Sequence, residues 1–531
     1  MLHTLMAGRG MVTAPHHLAA RAGLRVLEEG GNAIEAMVAA AATSAVVYPH
    51  MTGLGGDGFW LVARPGRAPL SIEACGAAGR AVTPDVYTAR GLDHIPRRGP
   101  LAANTVAGTV SGWSSALDIS RQHWDGNLSR ARLFEDAIYY AEAGVPMAES
   151  VADTAGRVAD EMADLPHWKA LFLEEGGQAP APGAWMRNPA LAQTLRRLAE
   201  RGLDDFYRGD VGRAISADLK AQGSPLVSDD LASHRSVRRR PLALKLAEGT
   251  VYNTQPPTQG LASLMILGLF ERLGITEAEG FDHIHGLLEA TKCAYALRNR
   301  HVTDPRYMAV HPTTYLSDTM LDQTAATIDR TRAAPWPTPA MEGDTVWMGC
   351  VDGAGRAVSF IQSLFQGFGS GVVLPETGLV WQNRGIAFGL DPAEPNVLIP
   401  GRRPFHTLNP PMARLRDGSV LVYGTMGGDS QPQIQAQLFT RHVQFGQSLQ
   451  AAVTAPRWLL GRDWSGAAHD VKVEARVDEA VVAALEAAGH RITRIDGFDE
   501  LAGHAGAIRR RPDGVLEGAT DPRADGIVAA F

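Results

Sequence analysis

A junction at Thr345 constrains this chain more than any other feature. The stretch before it, Ala333-Ala-Pro-Trp-Pro-Thr-Pro-Ala-Met-Glu-Gly-Asp344, is Pro-rich and weakly patterned, the texture of an exposed linker. After it come an apolar run, Val346-Trp-Met-Gly-Cys-Val351, a turn-forming Asp352-Gly-Ala-Gly355 and a second run, Ala357-Val-Ser-Phe-Ile361. Two strands joined by a Gly-rich turn are predicted. Most threonines at such a boundary are plain strand formers. A Thr where a cuttable linker meets a buried strand also suits a self-cleaving precursor. Its hydroxyl would attack the Asp344 carbonyl, and water would open the ester. The new chain would start at Thr345, with its α-amine beside its own hydroxyl. An α-amine titrates at about pH 8 and can act as general base.

The chain has 531 residues, 45% of them hydrophobic and 20% charged, so it can bury a large core; length alone suggests two to four domains. A net charge of −7 and a pI near 6.2 argue against a nucleic-acid partner. The longest basic runs, Arg238-Arg-Arg240 and Arg509-Arg-Arg511, are short enough to be solvated faces. Cys75, Cys293 and Cys350 have no metal-like spacing, and no His/Asp/Glu cluster has one either. No metal and no cofactor are expected. Sparse cysteines fit a reducing compartment. The segment Met1-Leu-His-Thr-Leu-Met-Ala-Gly-Arg9 lacks an apolar signal core, so a cytoplasmic enzyme is expected. Ala36 to Val47 is too short to span a bilayer; it reads as a buried helix, and no membrane contact is expected.

A helix is predicted over 15–29, with Pro15 in its first turn and Gly30-Gly31 as its stop. Asn32 then caps a second helix, with Glu35 completing a capping box. Gly53-Leu-Gly-Gly-Asp-Gly58 has dinucleotide-fingerprint spacing in reversed context, because a helix precedes it and the strand Phe59–Ala63 follows. It reads instead as a tight turn that brings backbone close to another element. Residues 130–340 are mostly helical in pattern, as in Leu191–Arg201 and Ala262–Leu273. From 345 short strands and turns dominate, and 471–494 reads strand, helix, strand. Grouped strands with helices outside suggest a layered α+β fold.

Several segments, taken in order, carry a resemblance. They are Gly30-Gly-Asn-Ala-Ile-Glu-Ala36, Gly53-Leu-Gly-Gly-Asp-Gly-Phe59, Val106-Ala-Gly-Thr-Val-Ser-Gly112, Pro256-Pro-Thr-Gln-Gly260, the Thr345 junction, Gly427-Gly428 and Thr520-Asp-Pro-Arg523. Nearly the whole chain resembles the γ-glutamyltransferase family of N-terminal-nucleophile hydrolases. Tyr48-Pro-His-Met51 with Gly-Asp-Gly-Phe-Trp60, Asp93–Pro100 and Arg403–Pro410 narrow the likeness to members acting on oxamate. The resemblance implies a four-layer αββα sandwich and autocleavage between Asp344 and Thr345. The products would be a large subunit, 1–344, and a small subunit, 345–531, sharing one fold.

The resemblance also implies roles. Thr345 is the nucleophile. Gly427 and Gly428, after the apolar run Val420–Met426, supply oxyanion N–H groups, though a Gly pair after a strand is usually just a turn. Ser363 stands where the family has a second threonine whose hydroxyl contacts the nucleophile and helps processing; the alternative is an ordinary strand serine. The glutamyl-binding groups are altered. Cys75 replaces the arginine that clamps the α-carboxylate, Phe365 replaces an asparagine, Ala387 replaces the acidic residue for the ammonium, and His406-Thr407 replace paired serines. Phe365 fills volume, while Arg384, His406 and Thr407 offer donors for a compact anion. Arg384 as a surface charge and His406 as a structural histidine remain open. His16, His17 and His50 read as structural.

The expected partner is therefore a small anionic amide, oxamate, hydrolysed to oxalate and ammonia through an acyl-enzyme on Thr345. The alternatives are a γ-glutamyl hydrolase or transferase acting on glutathione, a dicarboxylic-amide (cephalosporin-type) acylase and a non-catalytic binding protein. Homo-oligomerisation is left open.

Overall fold

The computed structural model describes residues 3–336, 343–461 and 469–531. The middle of the Pro-rich stretch, 337–342, lies outside the described residues, as do Met1 and Leu2. Two seven-stranded sheets form the centre. The first runs, in spatial order, Ile527–Ala530, Gly10–Ala14, Asp344–Asp352, Ala357–Phe365, Asp57–Ala63, Leu70–Ala74 and Val237–Arg239. The second runs Leu5–Ala7, Leu516–Thr520, Ala505–Arg510, Val420–Thr425, Met412–Leu415, Gly249–Asn253 and Leu242–Leu246. All pairings within both are antiparallel. Each sheet contains strands from both before and after Thr345, so a cut there would nick a shared core.

Three apolar clusters correspond to three interfaces between four layers. His17–Glu28, Ala33–Val47 and Thr109–His123 cover the first sheet, and Gly260–Leu273, Gln431–Phe439 and Leu449–Thr454 cover the second. Between the sheets lie Met11, Phe59, Leu61, Trp347, Ile361, Met412, Val422 and Ile508. This is the expected α+β fold in αββα layers. The hairpin predicted after the linker is Asp344–Asp352 paired with Ala357–Phe365. Both strands are covered on both faces, which is why they read as continuous apolar runs. Trp347 fits there because the opposing sheet carries glycines: a Cβ on Gly424 would stand 2.3 Å from its ring, and one on Gly506 2.7 Å.

The Asn32–Glu35 capping box forms as predicted, and the helix it starts, Ala33–Val47, is buried along its whole length. Among the described residues no helix is long and apolar enough to cross a membrane. The helical reading of 130–340 missed five strands: the two-residue pair Val145–Pro146 and Trp185–Met186, and then Val237–Arg239, Leu242–Leu246 and Gly249–Asn253. The alternating burial of Leu242-Ala-Leu-Lys-Leu246 was a signal available to find the fourth of these.

Candidate active site

The Asp344–Thr345 junction is less exposed than a linker reading suggests. Gly343 and Thr345 are buried and Asp344 is half-buried. The reason is that Asp344 already belongs to the central strand, paired with Phe365 across a register shift before Val346. Ser363, on the neighbouring strand, donates its hydroxyl to the Asp344 carbonyl at 2.5 Å and accepts from the Phe365 N–H at 2.7 Å. The expected contact with the nucleophile is thus made to the carbonyl beside it. Gln431 donates Nε2 to Thr345 Oγ1 at 3.5 Å. Its Oε1 accepts from Asn409, which also holds the Thr407 carbonyl.

The Gly427-Gly428 turn has φ of 124° and 53°, the left-handed region that favours glycine. The Met426 carbonyl accepts from Thr425 Oγ1 at 2.8 Å, and the Gly427 carbonyl accepts from Ser430 N at 2.9 Å and Oγ at 2.6 Å. In a trans peptide the N–H points opposite to its carbonyl. Tying back those two carbonyls therefore turns the N–H groups of Gly427 and Gly428 the other way. The Gly428 carbonyl accepts from Gln259 Nε2 at 2.8 Å, and the same amide nitrogen holds the Thr407 carbonyl at 2.8 Å. Gln259 is oriented by Arg298, which also makes a two-pronged pair with Asp429 at 3.0 Å on each arm. The turn reaches the segment just before Thr345, since a Cβ on Gly343 would stand 3.3 Å from the Gly428 Cα.

Arg384, Thr407, His406 and Phe365 lie together in the structure. Arg384 is buried, not a surface charge, and donates to Thr407 Oγ1 at 3.1 Å. The Phe365 ring lies over its guanidinium, 3.3 Å from carbon to centroid. Phe365 has φ of 85°, a strained value for a residue with a Cβ, at the end of its strand. A Cβ on Gly343 would stand 2.9 Å from the same ring, so Phe365 links Arg384 to the junction. Burial pulls Arg384 down to about 9, against the opposing pull of Asp57 and Asp429; it carries its charge at neutral pH.

The expectation that His406 offers a donor to substrate gives way. Its Nε2 faces Asp57 Oδ2 at 3.0 Å, and its Nδ1 accepts from the Leu408 N–H at 3.4 Å. Both ring nitrogens are engaged, and burial with the nearby Arg384 charge holds the ring well below its usual range, hence neutral. Asp57 in turn accepts from the N–H groups of Gly76 at 3.1 Å and Gly108 at 3.0 Å. Burial pushes Asp57 up to about 7, while those hydrogen bonds and Arg384 pull it down. Asp57 and His406 thereby fix the wall behind Arg384. The glycines around Asp57 are needed for close approach: a Cβ on Gly55 would stand 2.1 Å from the Val380 carbonyl oxygen, and one on Gly56 2.1 Å from that of Ser363.

Cys75 is buried, and burial raises its thiol. Arg403 lies beside it, placed against Glu73 at 3.4 Å and Asp304 at 3.7 Å. A cation from another segment thus stands next to Cys75. Away from this site, folding brings His285, Glu289 and His490 within 4.8 Å, a grouping that sequence spacing does not reveal. Their atoms already serve each other and the chain. His285 Nδ1 bonds His490 Nε2 at 2.9 Å, and Glu289 pairs with Lys292 at 2.6 Å. Lys292 and Glu289 hold the carbonyl and N–H of Ala334, at 2.6 and 3.2 Å, at the root of the linker. The lysine charge beside the carboxylate opposes a metal ion there.

Comparison with known proteins identifies the family of the chain. The Gamma-glutamyltranspeptidase family profile matches residues 19–531. The oxamate amidohydrolase proenzyme of Klebsiella pneumoniae is 52% identical over 522 residues, covering 98% of each chain. The glutathione hydrolase-like YwrD proenzyme of Bacillus subtilis is 36% identical over 529 residues, covering 99% of each. The crystal structure of cephalosporin acylase from Bacillus halodurans superposes with a TM-score of 0.91 at 34% identity, over 100% of this chain and 97% of that one. The chain belongs to the gamma-glutamyltranspeptidase family and is an amidohydrolase of the N-terminal-nucleophile type.

Proposed function

We propose that this chain cuts itself between Asp344 and Thr345, giving subunits 1–344 and 345–531, and that Thr345 then hydrolyses oxamate to oxalate and ammonia. The observation that carries the first half is the Ser363 hydroxyl on the Asp344 carbonyl, next to a buried Thr345. A donor on that oxygen polarises the carbonyl toward attack by the adjacent hydroxyl. After the cut, the α-amine of Thr345 takes the proton from its own Oγ. The Gly427 and Gly428 N–H groups receive the oxyanion, and water opens the acyl ester.

The substrate reading rests on Arg384. It is a buried cation linked to the catalytic turn through Thr407 and Gln259. A planar guanidinium matches a carboxylate in two parallel bonds. Oxamate carries its carboxylate directly on the amide carbonyl, so a compact site with one such clamp suits it. The likeness to the Klebsiella oxamate amidohydrolase proenzyme supports the same choice. Unpaired thiols at Cys75, Cys293 and Cys350 fit a reducing compartment, and we assign the enzyme to the cytoplasm. Ammonia release by the processed protein tests the substrate, across oxamate, glutathione and a glutaryl amide. Oxamate is expected to be turned over with the highest kcat/KM; preference for glutathione would refute the reading.

A further inference from the structure

Beside the scissile bond lies a cavity of about 100 Å³ that the reading above does not use. Arg97, Arg98 and Arg157 line it, with Thr154, Glu161 and the Asp344 side chain. Arg98 is built into the fold. Its side chain is only 10% exposed; Nη1 donates to the carbonyls of Gly367 and Gly369, at 2.8 and 2.5 Å, and Nε to Glu161 at 2.8 Å. Arg157 is steadied by Thr154 Oγ1 at 2.9 Å and stands 3.6 Å from Glu500. The precursor puts a carboxylate of its own among these cations. Asp344 is attracted to Arg98, and a Cβ on Gly367 would stand 3.4 Å from Asp344 Oδ2.

In self-cleavage the acyl group that Thr345 attacks is the aspartyl group of residue 344. Its carboxylate is separated from the reacting carbonyl by two carbons. An external amide attacked by the same hydroxyl can present its acyl group on the same side of Thr345. Succinamate is that aspartyl group without its amino substituent. We propose that the Arg97–Arg98–Arg157 cavity is a second carboxylate subsite, which lets the processed enzyme hydrolyse four-carbon amic acids of the succinamate type. The substrate carboxylate takes the place that Asp344 fills in the precursor. Oxamate, with no carbons between its two functional groups, is too short to reach that place and uses Arg384 instead.

The inference rests on Thr345 as nucleophile. Thr345 Oγ adds to the amide carbonyl, the C–N bond breaks, and nitrogen leaves as ammonia with the hydroxyl proton carried by the α-amine. Water then cleaves the succinyl ester, releasing succinate and restoring the hydroxyl.

The test measures ammonia release from oxamate and from succinamate by processed parent, Arg97→Met, Arg157→Met and Arg384→Met. Arg98 is left intact because it braces the 367–369 turn. The parent is expected to hydrolyse both amides. The succinamate-to-oxamate ratio of kcat/KM should fall at least tenfold in Arg97→Met and Arg157→Met and rise in Arg384→Met. Succinate should inhibit oxamate turnover competitively, and less so in Arg157→Met. Thermal melting of each variant shows whether the fold is kept. Hydrolysis of oxamate without succinamate, or an unchanged ratio in both cavity variants, overturns the subsite and leaves the Thr345 reading standing. Processed enzyme that releases ammonia from neither amide overturns both.

Discussion

The Ser363 hydroxyl donates to the carbonyl oxygen of Asp344 at 2.5 Å, on the acyl side of the proposed cleavage bond. In the proposed self-cleavage that oxygen becomes the oxyanion when Thr345 attacks. A hydrogen bond there gains strength as charge develops, so it favours the transition state more than the resting precursor. Ser363→Ala is expected to slow self-cleavage roughly tenfold to a hundredfold, the equivalent of about 1.5–3 kcal/mol for a bond to a charged group. Ser363→Thr keeps the hydroxyl and should process near the parent rate. A time course of purified precursor on denaturing gels reads both rates. Equal rates for Ala and parent would mean that the contact is structural only.

Thr345→Ala is expected to remain a single full-length chain without amidase activity. In the parent, Edman sequencing of the smaller fragment should begin Thr-Val-Trp-Met. Efficient cleavage of purified Thr345→Ala would remove the proposed nucleophile from the reaction.

Gly427 and Gly428 differ from ordinary turn glycines in what their neighbours do. Thr425, Ser430 and Gln259 each tie back a carbonyl of the turn. At φ of 124° and 53° a Cβ strains the backbone and re-aims the N–H groups. Gly427→Ala or Gly428→Ala should lower kcat far more than it raises KM, with a loss of roughly 3–4 kcal/mol if a donor is fully misdirected. Steady-state kinetics on processed protein distinguish this from weaker substrate binding; near-normal kcat in both would move the oxyanion donors elsewhere.

Asp57 makes a prediction about pH. Its folded pKa is raised to about 7 by burial, above the usual value of 3.8. A raised acid takes up a proton on folding, so its contribution to stability is complete below about 3.8 and is lost as pH rises through about 7. Asp57→Asn has no such titration. Its melting temperature should vary less between pH 4 and pH 7 than that of the parent. It should also melt lower near pH 4, because the amide nitrogen opposes the His406 Nε2–H. A parent-like pH slope in Asp57→Asn would show that Asp57 is ionised throughout.

Local signals were legible in the sequence and distant ones were not. The Asn32–Glu35 capping box, the hairpin after Thr345 and the strand–helix–strand of 471–495 are each set by neighbours within a few positions. Asp57 is the opposite case. It sits in a glycine loop and gains meaning from Gly76, Gly108 and His406, which lie far along the chain. Without those partners it is one acidic residue in a turn, and His406 looks like a spare donor. Gln259 was visible as part of Pro256-Pro-Thr-Gln-Gly260, yet its grip on Gly428 and Thr407 needs the two sheets to be stacked. Arg384 was placed in the pocket by family likeness, whereas its burial under Phe365 depends on a strained backbone that no periodicity encodes.

Arg384→Met separates substrate binding from self-processing. Methionine keeps most of the stem and removes the charge and the donors, so Phe365 retains an apolar surface to cover. The proposed self-cleavage acts on a carbonyl held by Ser363, so the precursor should mature within a few-fold of the parent rate. Oxamate loses its two-pronged clamp. Charge-assisted bonds are roughly twice as strong as neutral ones, and the same clamp also aims the amide at Thr345. Both kinetic constants should therefore suffer: KM rises and kcat falls, with kcat/KM down at least a hundredfold. Restoring charge with Arg384→Lys should recover only part, because an ammonium cannot make the parallel pair of bonds. The measurement is ammonia release at saturating and at low oxamate, on fully processed protein of each form. If Arg384→Met hydrolyses oxamate like the parent, the carboxylate is held elsewhere, and Arg403 beside Cys75 becomes the residue to change next.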